Sequence, residues 1–196
     1  MEKDKLWKLM DNESGYVTAK DISDQGIHRQ YLTQLVREGK LERVASGLYQ
    51  NPQRWGDSLY AFQFKKSKII YSHETALFLH DLSDRDPNFL SITCPNGYHL
   101  TQTNDQMIRV FFVKPNHLSL GSTTFLTSYG NQIRIYDMER TICDVIRSRN
   151  KLDYSLVIEG IRRYSKRKDK DINRLMEYAE LFRVQTVIKQ YLELLL

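Results

Sequence analysis

The residues best equipped for recognition chemistry in this chain of 196 residues lie in the stretch 26–49, GIHRQYLTQLVREGKLERVASGLY. Arg29, Gln30, Thr33, Gln34 and Arg37 recur at the spacing with which a helix returns to one face. Their side chains match the edges of base pairs. An arginine donates twice to guanine, a glutamine pairs with adenine, and threonine offers a hydroxyl or a methyl contact to thymine. No acid interrupts this face before Glu38. Ile27, Tyr31, Leu32, Leu35 and Val36 fall on the opposite arc, as the buried side of an amphipathic helix requires. His28 falls on the apolar side of the same wheel, which reads as a packed or end-capping histidine rather than a base reader.

The elements around this helix position it. A first helix is expected over 3–12, with Leu6, Leu9 and Met10 at inward spacing. Thr18-Ala-Lys-Asp21 is a capping box, so a short second helix starts there and ends near Gly26. The third helix should run over 28–38, closed by Gly39. Strands at 41–44 and 48–51, joined by Ala45-Ser46-Gly47, complete the order of a winged helix-turn-helix. Lys20, Lys40, Arg43 and Ser46 flank the reading face as candidates for phosphate contact, which positions a protein on DNA without specifying sequence. Pro52 and Gly56 suggest a boundary near residue 55, giving a DNA-binding domain over 1–55 and a second domain over 56–196.

The second part reads as mixed. Helical patterns at 57–66 and 72–82 enclose a short strand at 68–71. Strand-like runs follow at 89–94, 107–113, 123–129 and 132–136. Asp137 then opens a helix to about Arg147, and two or three more follow, from Asp153, Asp171 and about Gln185. The whole is an α+β chain: a winged helix-turn-helix followed by a small sheet and a helical C-terminal part. The terminal YLELLL serves either as core or as a contact.

Enzymatic chemistry finds no motif. There is no GxSxG, P-loop or GxGxxG. His73-Glu74 begins like HExxH, but Leu77 stands where the second histidine belongs, and His80 lacks an evident third ligand. Glu139 and Asp144 point apart on one helix. No enzyme activity, cofactor or metal is expected.

Charged residues make up 27% and hydrophobic ones 41%, the composition of a soluble globular protein. No apolar run could span a bilayer, and MEKDKLWKLM lacks a signal-peptide core, so a cytoplasmic location is expected. Cys94 and Cys143 read as reduced, packed thiols rather than a disulfide.

The net charge of +5 is unevenly placed. Residues 1–55 hold nine Lys/Arg against eight acids, whereas 147–174 hold ten against four. Within the latter, Arg162, Arg163, Lys166, Arg167, Lys168 and Lys170 form a candidate second basic surface. A solvated helix end, or a docking site for RNA or an acidic protein, is the alternative.

The chain resembles the AbiEi-type antitoxins of bacterial abortive-infection (phage-defence) toxin–antitoxin systems. The matching stretches are GYVTAKDISDQGIHRQYLTQLVREGKLERVASGLY, then YSHETALFLHDL at 71–82, then YDMERTICDVI at 136–146. The resemblance implies a repressor that binds inverted repeats in its own promoter. It also implies an antitoxin whose second domain counteracts a nucleotidyltransferase toxin without a stable complex. Related winged-helix and RTxxD segments also precede nuclease-like domains, but only about fifty residues follow ERTICD here. A ligand-responsive winged-helix regulator with no toxin partner is the competing expectation.

Overall fold

A computed structural model describes residues 2–12, 15–100 and 107–195. The chain divides into two compact units, Met1–Ser67 with Thr124–Ile133, and Lys68–Thr123 with Arg134–Leu196.

The first unit opens with α1 (Glu2–Asn12), β1 (Tyr16–Thr18), α2 (Ala19–Asp24) and α3 (Gln30–Arg37), followed by β2 (Glu42–Ala45) and β3 (Leu48–Gln50). The hairpin strands pair antiparallel, and β1 adds to the far side of β3, giving the order β1-β3-β2. β1 was not expected from sequence: three residues between two helices are too few to display strand alternation. Its partners Tyr16↔Gln50, Val17↔Tyr49 and Thr18↔Leu48 make it the third strand of the winged-helix sheet.

Leu6, Met10, Val17, Ile22, Ile27, Leu32, Leu35 and Leu41 form one buried core from α1, β1, α2 and α3. Tyr16, Leu48 and Ala61 form a second small cluster. Ala61 belongs to α4 (Ser58–Lys65), whose N-cap Asp57 accepts from the Tyr60 amide at 3.0 Å. Asp57 is buried and also accepts from Thr127 Oγ1 at 2.6 Å and Asn131 Nδ2 at 3.0 Å. The first unit therefore runs past residue 55, because α4 packs on the sheet and its capping carboxylate takes donors from residues 127 and 131.

The second unit holds β4 (Ile70–Tyr71), α5 (His73–Leu79), β5 (Leu90–Pro95) and β6 (Ile108–Val113); β7 (Ser122–Leu126) and β8 (Gln132–Tyr136) follow, and the stretch Thr124–Ile133 within them counts with the first unit. The strand order is β6-β5-β4-β8-β7, with β4 antiparallel to β5 but parallel to β8, and β5 parallel to β6. Then come α6 (Met138–Arg147), α7 (Tyr154–Ser165), α8 (Ile172–Leu181) and α9 (Gln185–Leu195). The carboxylates of Asp137, Asp153 and Asp171 each accept from a first-turn amide of the helix they open. Leu77, Ile142, Val145, Ile146, Val157, Ile161, Tyr164, Leu175 and Ile188 are among the residues that make its core. Leu192 of the terminal YLELLL joins that core, and the side chains of residues 194–196 lie outside the described residues.

At the centre of this unit α6 buries an ion pair. Arg140 and Asp144, both fully buried, meet with Nε and Oδ2 2.9 Å apart. Arg140 also donates to the carbonyls of His117 (3.0 Å) and Leu120 (2.8 Å), and its guanidinium lies over the rings of Tyr136 and Phe182. Burial pushes the Asp144 carboxyl upward, while Arg140 and Arg147 draw it back. Glu139, on the same helix, accepts from Tyr164 Oη and from the Asp171 amide, both at 2.9 Å. The two acids of ERTICD thus make separate structural contacts.

Candidate nucleic-acid interface

The local sequence fixes how α3 is presented. Thr18 Oγ1 accepts from the Asp21 amide at 3.1 Å while Asp21 Oδ2 accepts from the Thr18 amide at 2.8 Å, the reciprocal capping of α2. Gly26, with φ of +71°, makes the turn out of α2, and the Ile27 amide donates back to Ile22 O at 3.0 Å. A left-handed residue is needed there, and glycine adopts that conformation without a Cβ clash. Gly39, with φ of +68°, closes α3 in the same way, and the Lys40 amide donates to Leu35 O.

The helix begins at Gln30, two residues later than the sequence pattern suggests. Arg29 occupies the N-cap position with no side-chain cap, and His28 supplies it instead: its Nδ1 accepts from the Gln30 amide at 3.3 Å. His28 is therefore an end-capping residue, not a packed one. It is exposed, because the chain has not yet entered the helix at that point and the helical wheel does not apply. Sequence reasoning had set it apart from the reading face, yet it lines the same surface.

That surface is a shallow depression of about 520 Å³ bounded by His28, Gln30, Tyr31, Thr33, Gln34 and Arg37. Ile27, Leu32 and Leu35 are buried beneath it, and Tyr31 and Val36 are half-buried. All five residues expected to read bases are exposed, but not all are equally placed. Arg29 stands outside the depression and its Nε donates to Ser23 Oγ at 3.2 Å, tying it to α2. Gln34 Nε2 donates to Glu38 Oε1 at 2.8 Å, and Glu38 Oε2 also pairs with Lys40. Glu38, the first acid after the helix face, thus holds two of the expected DNA contacts.

The hairpin is short. Its turn, Ser46-Gly47, has Gly47 at φ +80°, and the ladder shifts register between Arg43 and Ala45. The Gly47 carbonyl accepts from the Ala19 amide at 2.9 Å, which satisfies an open donor at the start of α2 and fastens the wing to that helix. Lys20 and Ser46, each next in chain to a residue of that bond, are exposed. Arg43 is exposed opposite Tyr49. These residues, with Arg29 and Arg37, give the first unit a sparse rather than dense positive surface.

The basic run of the second unit is more neutral than its sequence. Arg163 makes a two-pronged contact to Asp84 and a further pair with Glu159 at 2.9 Å. The Arg163 guanidinium holds the Asp84 carboxyl below its ordinary range. Arg167 grips Asp169 through two bonds of 2.8 Å, and Lys170 Nζ donates to Arg167 O. Arg162, Lys166 and Lys168 are exposed, and among the described residues no carboxylate pairs with them. Arg162, Arg163 and Lys166 border a groove of about 680 Å³ with Tyr154, Ser155, Ile158 and Glu159.

The histidines considered as ligands serve as structure. His73 is fully buried at φ +47°, with Nδ1 2.9 Å from Ser72 Oγ and Nε2 3.1 Å from Ser148 Oγ, and its ring stacks on Phe111 at 3.4 Å. His80 Nε2 lies 2.7 Å from Tyr136 O. Among the described residues no three His, Cys, Asp or Glu side chains gather as a metal site. Cys94 and Cys143 are buried free thiols. No helix among the described residues is long and apolar enough to cross a membrane.

What sequence reasoning missed was the Arg140–Asp144 pair. The signal was present: opposite charges four apart on a helix.

Comparison with known proteins agrees with this geometry. Over its length the chain is similar to the RV2827C protein from Mycobacterium tuberculosis, with a TM-score of 0.60 at 12% identity, covering 98% of this chain and 80% of that one. At that identity the likeness speaks for the fold. No curated protein matches. Residues 8–52 match the family described as transcriptional regulator, AbiEi antitoxin. That stretch holds the end of α1 and the whole of β1, α2, α3 and the hairpin, so the part of the chain bearing the candidate interface is the part that resembles this family.

Proposed function

We propose that the chain is a non-enzymatic, cytoplasmic, autorepressing antitoxin: α3 reads inverted repeats of double-stranded DNA in its own promoter, and the second unit counteracts a nucleotidyltransferase toxin without a stable complex. The observation that carries the DNA reading is the exposed polar face of α3, free of acids from Gln30 to Arg37, on a buried apolar back and within the family-matched stretch. Gln30, Thr33 and Arg37 are the central readers. Arg29 keeps its Nη nitrogens for an outside acceptor while Ser23 holds its Nε. Gln34 joins them on leaving Glu38. Lys20, Lys40, Arg43 and Ser46 contact the backbone.

Promoter binding by full-length protein tests this. Arg29→Ala and Arg37→Ala should each weaken operator binding by roughly 1–3 kcal/mol where the guanidinium reads a base. A double variant with unchanged operator affinity refutes the assignment.

For the second unit, Arg162, Lys166 and Lys168 are the cations to vary, because Arg163 and Arg167 already have acid partners. The triple serine variant should bind promoter with a smaller salt dependence if the three touch phosphate. If it represses normally but no longer rescues cells from the toxin, those residues belong to toxin neutralisation.

A further inference from the structure

The ring of His28 is held in one direction by its surroundings. Its Nδ1 accepts from the Gln30 amide at 3.3 Å, and its own carbonyl accepts from the Tyr31 amide at 3.0 Å. The residue before it, Ile27, is buried in the core of the first unit, with its amide bonded to Ile22 O at 3.0 Å. Backbone and imidazole are thus set before any ligand arrives, and little side-chain freedom is left to lose on binding.

The same arrangement decides where the proton sits. A neutral imidazole accepts through one nitrogen and donates through the other. With Nδ1 turned to the Gln30 amide, the donor is Nε2, at the far edge of the ring. Among the described residues no group bonds it. The side chain is exposed and borders the depression that it shares with Gln30, Thr33, Gln34 and Arg37, which form one stripe along α3. Arg29, the next residue in the chain, stands outside that depression and is tied to Ser23. The head of the stripe is therefore a single oriented N–H donor.

We propose that His28 reads a guanine: its Nε2–H donates to N7 or O6 of a base at the end of the half-site where α3 begins. This rests on the DNA reading of α3 and adds a reader to it. In the major groove guanine presents two acceptors, adenine and thymine one each, and cytosine a donor. A lone donor gains most at guanine and finds no partner at cytosine. Recognition helices of the helix-turn-helix class touch base edges with their N-terminal residues, and His28 lies at that end. A phosphate is served by any mobile cation, whereas a neutral ring locked in direction suits a base edge.

Selection of duplexes from a random pool by the full-length protein, then fluorescence anisotropy on the selected site, tests this. Wild type should require G·C at one terminal pair of its half-site motif. His28→Ser should select the same motif with that pair relaxed, and bind the wild-type site about fivefold more weakly. On duplexes that already lack that G·C pair it should lose nothing. Serine is a favoured N-cap residue, so its hydroxyl can keep the bond to the Gln30 amide and the melting curve should not move. His28→Gln, which sets a donor beside an acceptor at similar reach, should move the preference from guanine to adenine. Unchanged base preference in His28→Ser overturns the proposal, and so does an equal loss on every duplex, the mark of a phosphate contact. Should His28→Ser fail to fold, His28→Gln decides, and a preference it leaves unmoved is the overturning result. A wild type that selects no motif overturns the DNA reading as well. If Arg37→Ala relaxes a pair and His28→Ser relaxes none, only the role of His28 falls.

Discussion

Replacing Glu38 by glutamine removes one carboxylate from the C-terminal end of α3, and with it the charge that pairs with Lys40, while the amide oxygen left behind can still accept a hydrogen bond. In the folded protein Glu38 accepts from Gln34 Nε2 and pairs with Lys40 Nζ. Both partners belong to the surface proposed to face DNA. The pair is partly exposed, at 47% for Lys40 and 32% for Glu38, so its loss should cost at most about 1 kcal/mol of stability. The effect on DNA should have the opposite sign. Each phosphate neutralised by a lysine adds about 0.9 to the slope of log affinity against log salt. One further contact, from a Lys40 no longer held by Glu38, is worth up to about eightfold in affinity near 0.1 M salt, or about 1.2 kcal/mol.

The assay is promoter binding by fluorescence anisotropy across a salt series. Glu38→Gln should bind tighter and with a steeper slope on any duplex, and Glu38→Gln/Lys40→Ala should return to the wild-type slope. A gain restricted to operator sequence would trace to Gln34, which reads bases, and not to Lys40. If Glu38→Gln leaves affinity and slope unchanged, this end of α3 does not approach DNA and the orientation inferred for the helix is wrong.

Three predictions concern the second unit. Arg140→Met leaves Asp144 buried with only Arg147 at 3.3 Å, and should cost roughly 3–5 kcal/mol in a urea melt, much of it recovered by Arg140→Met/Asp144→Leu; equal losses in both variants would deny the pairing. Gly121→Ala should lower stability by about 1–3 kcal/mol from its φ of +71° alone, with more from a Cβ 2.6 Å from that of Arg140, and an unchanged melting temperature would refute it. Burial, together with Arg147, Arg140 and Arg109, lowers the pKa of His73 well below that of a free imidazole. The unfolded chain therefore takes up this proton first, so the stability is intact above about pH 6.5 and falls below it by up to about 1.4 kcal/mol per pH unit. His73→Asn, which tolerates the left-handed φ, should flatten that acid limb, and an equally steep limb in the variant would refute the assignment.

The helix α3, proposed to read DNA, and its caps were legible because they rest on local chemistry. Thr18 with Asp21, Gly26 and Gly39 each solve a problem within a few residues of themselves, and the apolar arc from Ile27 to Val36 repeats at helical spacing. The later helices opened by Asp137, Asp153 and Asp171 announced themselves likewise, each through a capping aspartate. Non-local partners left no comparable sign. β1 exists only because β3, over thirty residues away, accepts it. Arg163 looks like part of a basic surface until Asp84 arrives from the far side of the sequence. Asp57 reads as an ordinary helix cap, and its bonds to Thr127 and Asn131 depend on a hairpin some seventy residues on. His28 failed for a different reason. A helical wheel assigns it a face, but the helix starts at Gln30 and residues before its first turn obey other geometry.

The two second-unit stretches that carry the antitoxin resemblance, 71–82 and 136–146, are mostly interior. Tyr71, Ser72, His73, Thr75, Ala76, Leu77 and Leu82 are buried in the first, as are Tyr136 and every residue from Glu139 to Ile146 in the second. Their chemistry explains why: His73 joins Ser72 to Ser148, and Arg140 joins Asp144 to the carbonyls of His117 and Leu120. Side chains so placed specify a fold and cannot touch a partner. Substituting them would abolish the proposed antitoxin activity by unfolding the unit, a result that says nothing about how the proposed neutralisation works. The informative positions are exposed and lie outside those stretches. Arg162, Lys166 and Lys168 are exposed without acid partners among the described residues, so altering them separates the unit's work from its stability.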